Sequence, residues 1–399
     1  MQGFLDSLIA QGYFAGVPRD LVYAGGMVVF GLIVILGFVL NVAGVTTFVE
    51  RRVWARIQGR IGPNRVGPQG ILQWLADGLK LIMKEDIVPA EADSRLFRLA
   101  PYVVVLGFLT TFVVIPFSSV LIIADLNVGI VFLTAVTALV VVGILMAGWA
   151  SNNKWSLIGG VRSAAQIVSY EIPAGLSLMP IVLLTGTLSV QGIIRQQGWA
   201  PPTWFVFNNP FTFVAFFLFF TSALAEGNRT PFDLPEAESE LVAGFVTEYS
   251  GVRYLMFFLV EWGNLYVIGA LMTILFLGGW QIPPITDNAV LRAVLEFVTF
   301  FVKSYFWVLV AMWIRATLPR VRVDQLMSVC WKYLVPISFV NLIGTALWVV
   351  LWPAGNVVAQ YLMFGVGLAI LAYFFHRVFF HLRRARIRER GQLYLSPLS

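Results

Sequence analysis

Long apolar stretches alternate with polar connections along the whole chain. Nine of these stretches are long enough to matter: roughly 21–48, 99–123, 128–149, 163–186, 210–226, 254–279, 293–314, 328–351 and 357–379. A helix needs about 20 apolar residues to cross the hydrocarbon of a bilayer, and it satisfies its own backbone while doing so. The connections fall into two groups by charge. The segments 50–98, 150–162, 227–253, 315–325 and 376–399 hold 22 Lys and Arg, against 3 in the segments 1–20, 187–209 and 280–292. Basic loops stay on the cytoplasmic side, so the N-terminus is expected outside and the C-terminus inside, which requires an odd number of spans. The pattern therefore predicts an all-α, polytopic membrane protein. It has about nine transmembrane helices in one domain over 1–399, cytoplasmic loops 50–98 and 227–253, and a basic C-terminal tail, 380–399.

Composition agrees: 59% of residues are hydrophobic and 12% charged, about half the charged share of a soluble domain. The single cysteine, Cys330, excludes an iron–sulfur cluster, a Cys-based zinc site or an internal disulfide. The two histidines, His376 and His381, lie together near the C-terminus, which argues against a haem or a His-rich metal site. What chemistry remains must rest on carboxylates and arginines. Residues 1–20 have no basic stretch leading into a short apolar core, so no removable signal peptide is expected. Phe4, Leu5, Leu8 and Ile9 suit either a short interfacial helix or a loosely ordered terminus.

The 50–98 loop opens ERRVWARIQGRIGPNRVGPQG. Glu50 and Arg51 stand at the mouth of the first span. Gly59, Gly62, Pro63, Gly67, Pro68 and Gly70 then force tight turns, from which Arg56, Arg60 and Arg65 project. A phosphate loop is excluded, because no strand precedes it and no Gly-Lys-Ser/Thr follows. In ILQWLADGLKLIMK, 71–84, Ile71, Leu72, Leu75, Leu79, Ile82 and Met83 share one face, with Gln73, Asp77, Lys80 and Lys84 opposite. That is an amphipathic helix lying in the membrane interface. It serves either as a plain surface helix or as one wall of an opening for an apolar ligand.

Three glutamates lie in or against apolar spans: Glu171, Glu226 and Glu261. An ionised acid at mid-bilayer depth costs roughly 2.5–3.5 kcal/mol, so three together would cost as much as a typical domain's net stability, about 5–15 kcal/mol. Desolvation and mutual repulsion disfavour their ionised forms, as a proton relay requires. Protonated acids joining helices by hydrogen bonds are the structural alternative. Lys303, inside the seventh span, fits either a buried ion pair or a snorkelling side chain. The stretch Glu226–Arg253 carries six carboxylates: Glu226, Asp233, Glu236, Glu238, Glu240 and Glu248. Pro235 suits a first helical position, which puts Glu236 and Glu238 in a first turn, where the helix dipole favours acids. Collectively Glu226, Glu236, Glu240 and Glu248 could carry the intramembrane acids toward the cytoplasmic surface, with Arg229 biasing their protonation. The tail HLRRARIRER, 381–390, reads as a lipid-seeking basic anchor or a docking segment.

Taken together, ERRVWARIQGRIGPNRVGPQGILQWLADGLKL, SLIGGVRSAAQIVSYE, AEGNRTPFDLPEAESELVAGFVTEYSG and IRATLPRVRVDQLM resemble the H-subunit family of proton-pumping NADH:quinone oxidoreductase, respiratory complex I, over about residues 20–390. The resemblance implies a membrane subunit with quinone as substrate and no metal, flavin or iron–sulfur cluster of its own. It places Glu50, Arg51, Arg65, Asp77, Arg229 and Arg315 at the quinone chamber. It maps an acidic channel onto Glu171, Glu226, Glu236, Glu238, Glu240, Glu248 and Glu261. The partners it implies are peripheral-arm quinone-reducing and iron–sulfur subunits, antiporter-like and small membrane-arm subunits, and lipid, with no nucleic acid. The implied location is the bacterial cytoplasmic membrane. The same buried acids would also serve a free-standing proton- or sodium-coupled transporter, and similar subunits occur in membrane-bound hydrogenases.

Overall fold

The computed structural model describes residues 17–235, 238–284, 288–353 and 355–395, with side chains left undescribed at 238–239 and beyond 381. Helix accounts for about three quarters of the described residues, with no strand among them. Among the described residues, nine apolar helices line up with the nine expected spans. Seven are long and apolar enough to cross a membrane: α1 (Arg19–Ile57), α4 (Gly129–Ala150), α5 (Lys154–Thr185), α8 (Gly251–Phe276), α9 (Ala289–Thr317), α10 (Val323–Leu351) and α11, whose apolar part is Val357–His381. Two are shorter, α3 (Ser94–Thr111) and α7 (Pro210–Glu226). Beside them stand the amphipathic helix α2 (Gln73–Met83), the short α6 (Val190–Gln196) and a single turn at Glu238–Leu241.

The core is a bundle in which α3 packs on α4, α4 on α5, α5 on α7 and α10, and α8 on α3 and α9. Small residues allow the close crossings, as membrane helices generally require. A Cβ on Gly263 would lie 2.0 Å from the Phe108 ring, and one on Gly269 2.4 Å from the Ser304 carbonyl oxygen. Helices α1 and α11 are peripheral, with few residues buried within the chain. Pro336 explains the break in α10. Proline lacks the N–H for the helical ladder, and the preceding Cys330–Leu334 turn widens to π form.

Three expectations change. The span at 99–123 is helical only to Thr111; beyond it the chain runs irregularly past Pro116 to Val128. Hydropathy cannot distinguish the two forms, because the irregular stretch is equally apolar. It is tolerated because its polar groups find partners. Ala124 N–H donates to Val113 O at 3.0 Å, and Ser119 donates from its N–H (2.8 Å) and Oγ (2.6 Å) to Glu296. Next, α1 continues through Glu50 and Arg51 to Ile57, so the 50–98 segment begins as helix and the tight turns start only at Gly59. Finally, Lys303 pairs with no acid among the described residues: its Nζ donates to Leu277 O at 3.0 Å and Gly279 O at 3.3 Å, capping the end of α8 beside the Trp204 ring. A cation is favoured at a helix C-terminus.

The helix at 71–84 forms as α2. Its apolar stripe, including Leu75, Leu79 and Ile82, is exposed rather than packed on the chain. Trp74 fills the space beside Gly44 of α1, and Asp77 pairs with Arg51. The residues 4–9 lie outside the described residues, and so does most of the tail beyond its helical backbone.

Candidate functional site

Two acids and two arginines meet at the end of the bundle that carries the basic loops. Glu50 comes from α1, Arg229 from the loop after α7, Glu261 from α8 and Arg315 from the end of α9. Arg315 Nη1 lies 2.7 Å from Glu50 Oε1 and 4.0 Å from Glu261 Oε1. Arg229 Nη1 lies 3.1 Å from Glu261 Oε1 and 3.7 Å from Glu50 Oε2, while its Nη2 donates to the Glu261 carbonyl at 3.1 Å. Glu50 and Arg229 are almost wholly buried. Opposite charges must be paired at such depth, because taking an isolated ion out of water is costly. Aromatic faces complete the surroundings: Arg229 sits over Trp262 at 4.3 Å, and Arg315 over Trp54 at 5.0 Å.

The loop that delivers Arg229 is held by α5. Gln166, fully buried, donates through Nε2 to Ala225 O at 2.7 Å and Phe232 O at 2.6 Å. Asn228 adopts φ +49° at the turn, a conformation that asparagine tolerates better than most residues. Asp233 then meets Arg320 at 3.5 Å. Burial pushes the Asp233 carboxyl above its ordinary value, and Arg320 offsets part of that.

Deeper in the bundle Glu171 and Glu226 face a common cavity of about 410 Å³, lined also by Thr134, Thr137 and Asn264. Oε1 of Glu171 is buried and has no hydrogen-bond partner among the described residues. Such an atom costs about 1–3 kcal/mol if left unsatisfied. The cavity is continuous with α8, whose Glu261 belongs to the charged cluster one turn before Asn264.

The remaining predicted residues are not all brought together. Glu240, half exposed, pairs with Arg162 at 2.7 Å. Glu248 accepts from Asn153 at 2.6 Å, and Asn153 itself caps α5. Both acids therefore tie the 227–253 loop to the start of α5. Arg51 and Asp77 pair with each other beside the cluster, while Arg65 is exposed on the glycine-rich turn and makes no ion pair among the described residues. Glu236 and the Glu238 side chain lie outside the described residues. Sequence reasoning missed Glu296, a fully buried acid at the other end of the bundle that pairs with Arg292 at 3.0 Å; it falls within the seventh span, so the signal that marked Glu171 and Glu261 was available. It also missed Trp54, Trp262 and Gln166. Of these, only Gln166, an amide inside an apolar run, stands out in the sequence. Among the described residues no group of three or more His, Cys, Asp and Glu is arranged to hold a metal ion.

The chain has relatives among known proteins. The family model described as NADH dehydrogenase matches residues 30–346. The chain is 55% identical over 334 residues to the NADH-quinone oxidoreductase H subunit of Anaeromyxobacter dehalogenans, covering 80% of this chain and 81% of the relative. It is 48% identical over 335 residues to the H subunit of Chlorobaculum tepidum, covering 82% and 93%. With the H subunit of Dehalococcoides mccartyi it shares 43% identity over 340 residues, covering 85% and 91%. An all-helical, multi-pass chain with these matches belongs to the H-subunit family of NADH-quinone oxidoreductases, the membrane subunits of a multi-subunit enzyme complex.

Proposed function

We propose that this chain walls a quinone chamber at the Glu50–Arg229–Glu261–Arg315 cluster and couples quinone reduction to proton movement through Glu171 and Glu226. One observation carries the reading: the buried cluster and the two-acid cavity share helix α8, through Glu261 and the face one turn further along it. The cluster balances two acids against two arginines, so a charge arriving beside it has an immediate effect. Arg229 stands between two carboxylates, 3.1 Å from one and 3.7 Å from the other, and can favour either. Reduction of a bound quinone to quinol draws two protons and changes the local charge. Arg229 then shifts toward the acid left ionised, and the altered field at Glu261 biases the protonation of the pair behind it.

In this reading Arg51, Asp77 and the exposed apolar stripe of α2 flank the opening through which quinone leaves the bilayer, and Arg65 projects toward a peripheral partner. Glu236, Glu238, Glu240 and Glu248 extend the acidic path along the loop, with Glu240 and Glu248 also anchoring it. The basic loops face the cytoplasm of a bacterial cell and meet the quinone-reducing and iron–sulfur subunits, while the lateral faces meet antiporter-like and small membrane subunits. The electron carriers reside on those partners.

The test uses the assembled complex in sealed vesicles, comparing Glu226→Gln and Glu261→Gln with the unaltered complex. Both variants should assemble, and both should lose most proton pumping and much quinone-linked turnover. NADH oxidation by a water-soluble artificial acceptor should persist. Normal proton-to-electron stoichiometry in both variants would refute the coupling role.

A further inference from the structure

The cavity between α4, α5, α7 and α8 contains two polar side chains that neither the charged cluster nor the acids explain. Asn264 lies on its wall, three residues after Glu261 on the same helix. Positions three apart share a helix face, so Asn264 stands between the charged cluster and the Glu171–Glu226 pair. It is half-buried, and its amide makes no hydrogen bond to the described residues on a wall it shares with Val267, Ile268 and Leu271. Thr137 faces the same space from α4. Its hydroxyl donates to the Thr134 carbonyl at 3.0 Å and shares the cavity wall with the Glu226 carboxylate.

We propose that Asn264 and Thr137 are positioning residues that join Glu261 to the Glu171–Glu226 pair by hydrogen bonds usable in either protonation state. Their role rests on the coupling proposed above and extends it to groups that carry no charge. A threonine hydroxyl both donates and accepts. When Glu226 is ionised, the hydroxyl donates to it. When Glu226 is protonated, the acid donates to Thr137 Oγ, and the freed hydroxyl hydrogen has the Thr134 carbonyl as an acceptor already in place. An amide has the same double capacity, with its oxygen and its nitrogen. Asn264 can therefore hold a bridging water, or the acid itself, whichever side of α8 carries the proton. Neither residue gains or loses a proton. Each keeps a hydrogen-bonded path connected while the acids change state, in a cavity whose other walls are mostly aliphatic. The orphaned Oε1 of Glu171 gives that path its third polar atom.

The experiment substitutes Asn264→Leu, Asn264→Gln, Thr137→Val and Thr137→Ser in the assembled complex in sealed vesicles. It reads three quantities: quinone-linked turnover, protons moved per electron, and the solvent deuterium isotope effect on turnover. Asn264→Leu and Thr137→Val should each slow coupled turnover about tenfold, the scale of one lost hydrogen bond at a barrier, and should raise the isotope effect. Asn264→Gln and Thr137→Ser should restore most of the rate, because each keeps the donor and acceptor. A simple packing role would make Asn264→Gln as harmful as Asn264→Leu and leave the isotope effect unchanged, which would overturn the inference. Unaltered turnover in Asn264→Leu and Thr137→Val, with Glu226→Gln still defective, would overturn it while sparing the coupling role. A silent Glu226→Gln would remove the coupling role itself.

Discussion

Arg229→Met is the sharpest probe of the charged cluster. The guanidinium is 3% exposed as a side chain, contacts Glu261 at 3.1 Å and Glu50 at 3.7 Å, and covers Trp262 at 4.3 Å. Removing one partner of a buried pair costs about 3–5 kcal/mol, because a charge is left uncompensated. Glu50 keeps Arg315 at 2.7 Å, so the stranded acid is Glu261. Its nearest remaining arginine is 4.0 Å away, and its side chain is 21% exposed. Both facts place the loss at the low end, about 3 kcal/mol. If all of that appears in the barrier to irreversible unfolding, the complex inactivates about 100-fold faster at a fixed temperature. The assay is the half-life of intact complex in mild detergent, followed by size-exclusion chromatography after heating. Adding Glu261→Gln to Arg229→Met removes the stranded charge, so the double variant should recover about half the loss and show strong non-additivity. A single variant within about twofold of the unaltered half-life, or strictly additive effects in the double, would refute the view of Arg229 as the counter-charge of Glu261.

Gly269→Ala should weaken the complex by about 1–3 kcal/mol, since its Cβ would meet the Ser304 backbone oxygen at 2.4 Å; Gly25→Ala, with nothing within 4 Å, is the control, and equal heat stability of the two would refute the close crossing of α8 and α9. Lys303→Met loses two carbonyl contacts at the end of α8 and should cost about 1–3 kcal/mol, seen as a shorter half-life on heating with normal turnover beforehand. Loss of turnover before heating would instead place Lys303 on the charge path. Asp233 is held above its ordinary value of 3.8, chiefly by burial. The folded state therefore keeps a proton that the unfolded chain releases, and the contribution to stability is complete below about 3.8 and fades as pH rises through the raised value. Asp233→Asn should flatten that part of the profile, which thermal inactivation at mildly acidic and neutral pH would reveal; an unchanged profile would refute it.

Much of the candidate site was legible because its cost was legible. A carboxylate inside an apolar run, as at Glu171 and Glu261, stands out in any hydropathy pattern. The pairings did not stand out. Arg315 and Glu50 are 265 positions apart in the chain and 2.7 Å apart in space, and no local rule connects them. Glu240 and Glu248 belonged by position with the acids of the path, yet they hold Arg162 and Asn153. Hydrogen-bond geometry, which sets those partners, exists only after the helices pack.

What the amino-acid sequence determined by itself was the number of helices, their order and the charge asymmetry of their connections. Hydrocarbon leaves a spanning backbone few ways to satisfy its polar groups, so composition alone dictates helix. What the tertiary structure alone decided was where a span stops being helical and which charges meet. The irregular chain after Thr111 is tolerated in part because Glu296, on a helix far along the sequence, accepts the hydrogen bonds of Ser119. Arg229 faces Glu261 because Gln166 holds the loop that carries it. Both depend on partners distant in sequence, and only packing brings such partners within hydrogen-bonding reach.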